Sequence, residues 1–305
     1  MEGTRLTVAV PTRDRRESAL GALEAIAGQL RETDELLVVD NGSVDGTGAA
    51  AAAWREELRV PARLVSEPHG GVSAARNTAL REASNGVVCF VDDDVRVAPG
   101  WLDALRQTWA AAGPRVACIG GPLSPDWQAL RPAWLADHLL YVLSVLELGN
   151  EPRRLDQSPG TGHVWGGNFS VRVEAARSVG GFDTELGLRP DAPFDRDEEE
   201  DIQRRLARAG WEIWYEPSAA ARHLLGAEKL NERFFLQAFR SRGEREAVAG
   251  RPRWKGLRAL VRGALRYATL RAAGRADAPA ARFDCAYGWT LLTGSRSTRR
   301  SDDAL

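Results

Sequence analysis

Three adjacent carboxylates, Asp92, Asp93 and Asp94, directly follow the apolar run 87–91. Because side chains alternate along an extended strand, we expect Asp92 and Asp94 to point the same way and Asp93 to point to the other face. Clustered negative charges repel one another unless a cation neutralises them, and carboxylate oxygens suit Mg²⁺ or Mn²⁺. The sequence therefore predicts a divalent-cation site here. The alternative is an acidic turn that caps the following helix.

Polar residues also follow the first two apolar runs of the chain. Asp40 ends the second run, and Pro11 and Thr12 end the first. A carboxylate only accepts hydrogen bonds, so Asp40 is suited to a base N–H of a nucleotide that lies across these ends. The alternative for Asp40, with Asn41 and Ser43 after it, is ordinary turn chemistry.

Paired glycines, Gly70 and Gly71, precede a helical pattern that contains Arg76. Glycine allows a ligand to approach the backbone closely, and an arginine one turn into a helix can reach a phosphate. This segment therefore predicts a phosphate-binding helix start.

The elements that must position these side chains alternate between strand and helix over the first 120 residues. Stretches with apolar residues at three- and four-residue spacing separate five short β-rich runs, at 6–10, 35–39, 62–65, 87–91 and 116–120. This alternation predicts an α/β fold with a mainly parallel sheet, helices on both faces, and ligands at the carboxyl ends of the strands. Beyond residue 121 the pattern predicts helices over 133–148, 174–179 and 202–209 and strands over 163–171 and 212–215.

The composition disfavours several classes of protein. The 305 residues carry 41 basic and 42 acidic side chains, and this net charge of −1 disfavours a whole-chain nucleic-acid binder. Three scattered cysteines, at 89, 118 and 285, do not form a disulfide framework or a clustered metal site. No apolar run approaches the length of a membrane span or of a signal-peptide core. We therefore expect a cytoplasmic protein.

The segment 251–275 carries eight basic residues and no acidic ones. Apolar residues trace one face of a predicted helix there, namely Leu257, Leu260, Val261, Ala264 and Ala268, and Arg258, Arg262 and Arg266 lie off it. Such a helix can rest on an anionic membrane surface, or it can be an ordinary surface helix packed on the domain. The polar residues 295–305 are expected to fray.

Several motifs, taken in order, resemble those of glycosyltransferase family 2 proteins. The matching stretches are Pro-Thr at 11–12, Val-Asp-Asn-Gly-Ser-Val-Asp-Gly-Thr at 39–47, Gly-Val-Ser-Ala-Ala-Arg-Asn at 71–77, Phe-Val-Asp-Asp-Asp at 90–94, Gly-Gly-Asn-Phe-Ser-Val-Arg at 166–172, Val-Gly-Gly-Phe-Asp at 179–183, Arg-Leu-Ala-Arg-Ala-Gly-Trp at 205–211, Tyr-Glu-Pro at 215–217, and His223. The resemblance implies a GT-A fold with a C-terminal helical extension. It also implies an inverting transfer from a nucleotide-diphosphate sugar to a hydroxyl of a glycan, a lipid-linked sugar or a small molecule.

The resemblance implies roles for the matching residues. Asp40 would contact the nucleobase, Arg76 the ribose or diphosphate, and Asp92 the ribose or the metal shell. The implied donor-binding set is Pro11, Thr12, Asp40, Gly71, Arg76, Asp92 and Asp93. The implied ligands of Mn²⁺ or Mg²⁺ are Asp94, Asp92 and His223, although His223 could instead be a structural histidine at a strand end.

The candidate catalytic base lies in the acidic run 191–201. Members of the family commonly carry Glu-Asp, followed two residues later by an acidic and an aliphatic residue. Counting back from Arg-Leu at 205–206 places Glu199 at the position of the usual aspartate base. Glu199 is therefore the predicted base and Glu198 the alternative, with Asp201 on the opposite side of the helix start as an acceptor contact. A solvated acidic run at a helix N-terminus is the competing interpretation.

Trp165, Gly167 and Asn168 are predicted to contact the acceptor, with the indole as a stacking platform for a sugar. The resemblance divides the chain into a donor-binding segment 1–120, an acceptor and base segment 121–228, and a basic helical extension 229–305.

Two other functions compete with sugar transfer as interpretations of the sequence. The glutamate at 199, where the family has aspartate, favours a catalytically inactive nucleotide- or carbohydrate-binding protein. A sugar-phosphate nucleotidyltransferase fits poorly, because Pro-Thr follows the first strand where that class has a Gly-rich loop.

Overall fold

The computed structural model describes residues 4–56, 58, 60–157, 162–192, 194 and 196–294. The tail at 295–305, predicted to fray, lies outside these residues. The chain forms two compact units. The sheet unit comprises Met1–Asp126 and Ser144–Leu224, and the helical unit comprises Trp127–Leu143 and Leu225–Leu305. The predicted segments 1–120 and 121–228 both contribute strands to the sheet unit.

The regular elements alternate between strand and helix along the first part of the chain, and helices dominate its end. They are β1 (Thr7–Thr12), α1 (Arg16–Ala27), β2 (Glu35–Asp40), α2 (Thr47–Arg55), β3 (Ala62–Ser66), α3 (Val72–Glu82), β4 (Val87–Val91), β5 (Val95–Val97), α4 (Trp101–Ala111), β6 (Val116–Gly120), β7 (Leu123–Trp127), β8 (Arg153–Leu155), β9 (Asn168–Arg172), α5 (Val173–Ser178), α6 (Glu198–Arg208), β10 (Glu212–Tyr215), β11 (Ala221–Leu225), α7 (Glu232–Val248), α8 (Arg253–Ala272) and α9 (Ala281–Thr293).

The main sheet has the strand order β3-β2-β1-β4-β9-β6-β10-β8 within the described residues. β1 is parallel to β2 and to β4, and β6 is parallel to β10. β9 runs antiparallel between β4 and β6. The predicted α/β fold with a mainly parallel sheet is therefore confirmed, and the carboxyl ends of β1, β2 and β4 share one edge. β5, β11 and β7 form a second, small sheet.

The core of the sheet unit follows from the apolar pattern. Every residue of β4 and β6 is buried, as expected for strands covered on both faces. In α1 the buried residues are Ala19, Ala22, Leu23 and Ile26, whose spacing of three and four is that of one helix face. Burial of this apolar surface fixes the strand ends, and with them the polar residues that follow.

The predicted helix over 133–148 is wrong in extent. The structure has only a 3₁₀ helix over Asp137–Leu143. Ser144 adopts a left-handed φ of 58°, and Leu146 then exchanges two backbone hydrogen bonds with Leu123, at 2.9 and 3.0 Å. The backbone therefore leaves the helical path although its apolar residues have helical spacing.

The helical unit is built on close packing of α8 against α9. The buried positions of α8 are Gly256, Ala259 and Gly263. A Cβ on Gly288 of α9 would lie 2.5 Å from the backbone nitrogen of Leu260, so only glycine permits this approach. The face that packs is thus formed by small residues, and not by the apolar face predicted from the sequence. None of the described helices is both long and apolar enough to span a membrane.

Candidate active site

The three carboxylates after β4 separate into one residue and a pair. β4 ends before Asp92, so strand alternation does not continue through the trio. Asp92 accepts a hydrogen bond from Arg76 Nη2 at 3.0 Å. Asp93 and Asp94 both accept from Nη1 of Arg15, at 3.0 and 2.7 Å. The prediction that Asp92 and Asp94 point the same way, with Asp93 opposite, is therefore wrong: Asp93 and Asp94 meet the same arginine and Asp92 meets another, because these residues lie in a turn.

A hydrogen bond joins Asp93 to Thr12 where β1 ends. Thr12 Oγ1 donates to Asp93 Oδ2 at 2.8 Å, and both residues are buried. Burial raises the pKa of Asp93 to about 6 against the opposing charge of Arg15, and the charge of Asp94 adds to the rise. Pro11 is buried in β1 beside Thr12. These residues lie together at the carboxyl end of β1.

Asp94 lies against His223, with 3.4 Å between Oδ1 and Nε2. The antiparallel pairing of β11 with β5 places His223 opposite Val95 and brings the imidazole to the turn. Backbone contact reinforces the position, because Leu224 N–H donates to the carbonyl oxygen of Asp94 at 2.9 Å. The structure thus brings together two of the three predicted metal ligands.

A divalent cation fits Asp94 and His223 only if the substrate supplies further ligands. Within the described part of the chain, no group of three or more His, Cys, Asp or Glu residues could hold a metal. Asp92, the third predicted ligand, is instead paired with Arg76. Mg²⁺ is commonly bound by one or two protein carboxylates with substrate phosphates, and imidazole is a good additional ligand for Mn²⁺. A carboxylate and an imidazole in contact match that donor set.

Arg76 is buried at the centre of the site and is only 2% exposed. Its Nη1 donates to Glu198 Oε1 at 2.6 Å, and its Nη2 donates to Asp92. A Cβ at Gly166 would lie 2.3 Å from Nη2, so the glycine leaves the space that the guanidinium occupies. Arg76 therefore joins the turn after β4 to the start of α6. Its buried contacts are with carboxylates rather than with an open phosphate site.

Glu198 and Glu199 form the first turn of α6 and are both buried. Burial raises the pKa of Glu198 to about 8, and the neighbouring charge of Glu199 adds to the rise. For Glu199, burial opposes ionisation, but the charge of Arg76 and a hydrogen bond from Glu198 hold its pKa below the usual range. Burial thus disfavours two negative charges in this turn, and of the two carboxyls Glu199 is the more readily ionised.

One oxygen of Glu199 is left for a ligand. Oε1 accepts from the backbone N–H of Gly166 at 3.3 Å. Oε2 is buried, and no N–H or hydroxyl among the described residues donates to it. A buried acceptor without a donor is costly, so this oxygen suits a hydroxyl that arrives with a substrate.

The loops after β2 and before α3 are tied together by Asn41. Its Oδ1 accepts from Gly71 N–H at 2.7 Å, and its Nδ2 donates to the carbonyl of His69. Gly71 has φ 138°, where a side chain would be strained.

Asp40 accepts a hydrogen bond from the backbone N–H of Ser43 at 3.0 Å, which is the turn chemistry given as its alternative. Its second oxygen lies over Gly48.

The predicted acceptor contacts have different surroundings. Trp165 is half-buried, and its Nε1 donates to the carbonyl of Val145 at 3.3 Å. Gly167 allows Asp92 to approach, since a Cβ there would lie 3.1 Å from Asp92 Oδ2. Both residues therefore border the site.

Asn168 and Asp201 have structural roles instead. The buried amide of Asn168 donates to the carbonyls of Pro122 and Ala219 and accepts from Trp101 Nε1. Both N–H groups of its Nδ2 donate to these carbonyls, and the acceptor contact of Asn168 stays a prediction. Asp201 is paired with Arg205 at 2.7 Å. The structure does not bring it to the Glu198–Glu199 pair.

Two residues of the site were missed in the sequence. Arg15 neutralises Asp93 and Asp94. The cluster of basic residues between β1 and α1 is the feature of the sequence that could have indicated this role. Gln203 accepts from Val164 N–H at 2.9 Å and donates to Val164 O and Glu199 O at 2.8 and 2.9 Å. It lies one helical turn after Glu199, and it fixes the 164–166 loop against α6.

The same edge of the sheet is the region that carries the family signature. The model of the family described as "Glycosyl transferase family 2" matches residues 7–180, which is more than half of the chain. The chain belongs to glycosyl transferase family 2. The resemblance drawn from the motifs is thereby confirmed.

Individual relatives in this family are distant. The chain is 24% identical over 212 residues to a glucosyl-dolichyl phosphate glucuronosyltransferase of Haloferax volcanii, covering 70% of this chain and 66% of the relative. It is 28% identical over 229 residues to a pre-mycofactocin glycosyltransferase of Mycobacterium tuberculosis, covering 72% of this chain and 42% of the relative. The chain thus spans less than two thirds of the length of either relative.

A solved structure confirms the GT-A fold. The mannosyltransferase PcManGT from Pyrobaculum calidifontis, in complex with GDP-Man and Mn²⁺, superposes with a TM-score of 0.63 at 20% sequence identity. The superposition covers 95% of this chain and 88% of that chain.

Proposed function

We propose that this family 2 protein transfers a sugar from a nucleotide-diphosphate sugar to an acceptor hydroxyl, with inversion at the anomeric carbon. The observation that carries the proposal is the buried Arg76, which joins Asp92 at the donor edge to Glu198 beside the ionised Glu199. The acceptor hydroxyl must reach both the base and the anomeric carbon of the donor, so the base and the donor site must be close together, and this cluster links the two.

The proposed donor site is the edge formed by the ends of β1, β2 and β4. Asp40 retains an oxygen for a base N–H, and Gly71 leaves room for backbone approach. Pro11 and Thr12 end β1 at this edge, and the hydrogen bond from Thr12 fixes Asp93 beside them. GDP-Man in PcManGT supports a nucleotide-diphosphate sugar as the donor class.

The proposed cation site consists of Asp94 and His223, completed by phosphate oxygens of the donor. The Mn²⁺ of PcManGT supports Mn²⁺ or Mg²⁺ here. A divalent ion would offset the negative charge that develops on the departing diphosphate. Arg15, which contacts Asp94, is placed to add a positive charge at the same edge.

Glu199 is the proposed general base. The acceptor hydroxyl donates its hydrogen bond to Oε2, and Glu199 takes the proton as the hydroxyl oxygen attacks the anomeric carbon. Glu198, whose pKa is raised by burial and by the neighbouring charge of Glu199, limits the negative charge in this buried turn. A single displacement of this kind inverts the anomeric configuration.

The proposed acceptor is a hydroxyl of a lipid-linked sugar. The relative from Haloferax volcanii is named for a glucosyl-dolichyl phosphate acceptor, which supports this class over a free glycan or a small molecule. Trp165 is the proposed stacking surface for the acceptor sugar, since it is half-buried beside the Gly166 backbone that contacts Glu199.

The test is nucleotide release from a panel of nucleotide sugars with Mn²⁺, measured for the wild type, Glu199→Gln and Glu200→Gln. Loss of a general base lowers turnover about 10²- to 10⁴-fold, so Glu199→Gln should fall by at least that lower limit. Glu200 is the matched control, because its side chain is half-exposed and paired with Arg204 at 3.7 Å. Donor binding by titration without any nucleotide release would support the inactive-binder alternative. Turnover of Glu199→Gln equal to that of Glu200→Gln would overturn the proposed base.

A further inference from the structure

The outer side of α8 carries a row of exposed apolar side chains. They follow one another at helical spacings of three and four: Trp254, Leu257, Val261 and Leu265. Their exposed fractions are 59%, 50%, 49% and 66%. Residues at these spacings are neighbours on a helix surface, so the four form one continuous apolar stripe. The small residues that pack against α9 occupy the opposite side of the helix.

Each residue of the apolar stripe is followed directly by a basic residue. The basic row consists of Lys255, Arg258, Arg262 and Arg266. Consecutive residues lie about 100° apart around a helix, so this row runs beside the stripe along its whole length. Arg253 and Arg271 flank the stripe on its other side. Within the described part of the chain, no salt bridge to a carboxylate involves Lys255, Arg258 or Arg262, whereas Arg266 acts electrostatically on Asp277, which is paired with Arg275.

The basic row also opens into a cleft between α8 and α9. This cleft has a volume of about 370 Å³ and is lined by Trp254, Lys255, Arg258, Ala259, Arg262 and Tyr287. Tyr287 donates to Glu246, and that carboxylate is balanced by Arg242 and Arg251. Three cationic side chains without a counter-ion therefore converge on a space large enough for a phosphate group.

We propose that this face of α8 binds the surface of an anionic lipid bilayer. The apolar stripe enters the boundary between headgroups and acyl chains, and the basic row and the cleft contact lipid phosphates. This arrangement of an apolar stripe with arginine and lysine at its edges is that of a helix lying in the membrane interface. A second copy of this chain is a poorer occupant, because contact between two such faces would oppose two rows of like charge.

The binding itself does not depend on sugar transfer, although the benefit to catalysis rests on the proposed lipid-linked acceptor. A lipid-linked acceptor diffuses in the bilayer, so a chain held at the surface meets it at a raised effective concentration. The test below therefore measures binding without any sugar donor, and its failure would leave the proposed function untouched.

The experiment is co-sedimentation of the full chain with vesicles of phosphatidylcholine alone and of phosphatidylcholine with phosphatidylglycerol. We expect binding to the anionic vesicles, at least tenfold weaker binding to neutral vesicles, and weakening with added salt. Arg258→Gln with Arg262→Gln should weaken binding about 25-fold, from about fivefold for each charge. Leu257→Ser with Val261→Ser should weaken it by about tenfold or more through loss of apolar burial.

The matched controls remove the same kinds of side chain, two arginines or two exposed apolar residues, from other helices or loops of the helical unit. Arg233→Gln with Arg282→Gln removes two exposed charges from α7 and α9, and Leu130→Ser with Val248→Ser removes two exposed apolar side chains. Both controls should bind anionic vesicles within about twofold of the wild type, and circular dichroism should show that all variants fold.

Three results would overturn the proposal. The first is no co-sedimentation of the wild type with anionic vesicles. The second is equal binding by the α8 variants and their controls. The third is a concentration-dependent dimer, without vesicle binding, that Leu257→Ser with Val261→Ser abolishes, since this would assign the face to self-association.

Discussion

At the residue scale, the site is organised by one buried guanidinium. Arg76 is almost fully enclosed, and it pairs with carboxylates from two distant parts of the chain. A buried charge is tolerated only when it is paired and hydrogen-bonded. Its hydrogen bonds therefore hold Asp92 and Glu198 in place, and the charge of Arg76 also favours the ionised form of the neighbouring Glu199 against burial.

Gly166→Ala should damage this cluster without removing any of its polar groups. The added Cβ would lie 2.3 Å from Arg76 Nη2, and the guanidinium is held by two ion pairs and cannot move aside freely. We expect a loss of about 1–3 kcal/mol in the free energy of unfolding and a large loss of turnover. Urea denaturation and nucleotide release measure the two effects. Gly28→Ala is the control, because nothing lies within 4 Å of a Cβ there. Equal stability of the two variants would contradict this account of Gly166.

At the element scale, strands were predicted better than the ends that carry the chemistry. The five β-rich runs up to residue 120 all form strands. Four of them are buried and have the strong apolar signal of strands covered on both faces, whereas β3, at the edge of the sheet, is only half-buried. The orientation of Asp92, Asp93 and Asp94 was wrong, since alternation holds only inside a strand. The role of Asn168 was also missed: the residue opens β9, and its amide satisfies carbonyls that are distant in sequence. Such pairings depend on strand order, which one sequence does not reveal.

Arg15→Gln should leave the repulsion between Asp93 and Asp94, in the turn after β4, without a compensating positive charge. The pKa of Asp93 is raised from 3.8 to about 6. Its ionisation therefore lowers the free energy of unfolding as the pH rises from about 3.8 to about 6, and the charge of Arg15 offsets part of this loss. Loss of Arg15 should therefore cost little at low pH and about 1 kcal/mol above pH 6, since the arginine is 44% exposed. Thermal denaturation at several pH values measures this deficit.

Mn²⁺ should partly replace the missing charge, so it should raise the melting temperature of Arg15→Gln more than that of the wild type. Arg13→Gln is the control, because its carboxylate partner is the exposed Asp14. A deficit that shrinks as the pH rises, or one that Arg13→Gln shares, would contradict the assigned role of Arg15.

At the scale of the whole molecule, charge is distributed unevenly although the net charge is −1. Eight basic residues and no acidic ones lie in 251–275, so the rest of the chain has an excess of acidic residues. The sequence predicted this basic helix, but it could not show which side is free. The side is set by Gly256, Gly263 and Gly288, which let α8 and α9 pack through their smallest residues.

Transfer in a vesicle should depend on this face of α8, whereas transfer in solution should not. Leu257→Ser with Val261→Ser should lower turnover of a lipid-linked acceptor in anionic vesicles by about tenfold, in line with its loss of binding. The same variant should transfer to a water-soluble analogue of the acceptor at the wild-type rate. An equal loss with both acceptors would show a defect in the enzyme rather than in surface binding.

The most direct test of the proposed mechanism compares Glu198→Gln with Glu199→Gln in one nucleotide-release assay. Glutamine resembles protonated glutamic acid in shape and also donates a hydrogen bond, so at neutral pH Glu198→Gln should retain turnover within about tenfold of the wild type. Glu199→Gln should lose at least about 100-fold. The pKa of Glu198 is raised to about 8. The wild-type rate should therefore depend on pH around that value, whereas the rate of Glu198→Gln should not. An inactive Glu198→Gln beside an active Glu199→Gln at neutral pH would reverse the two roles and contradict the proposed mechanism.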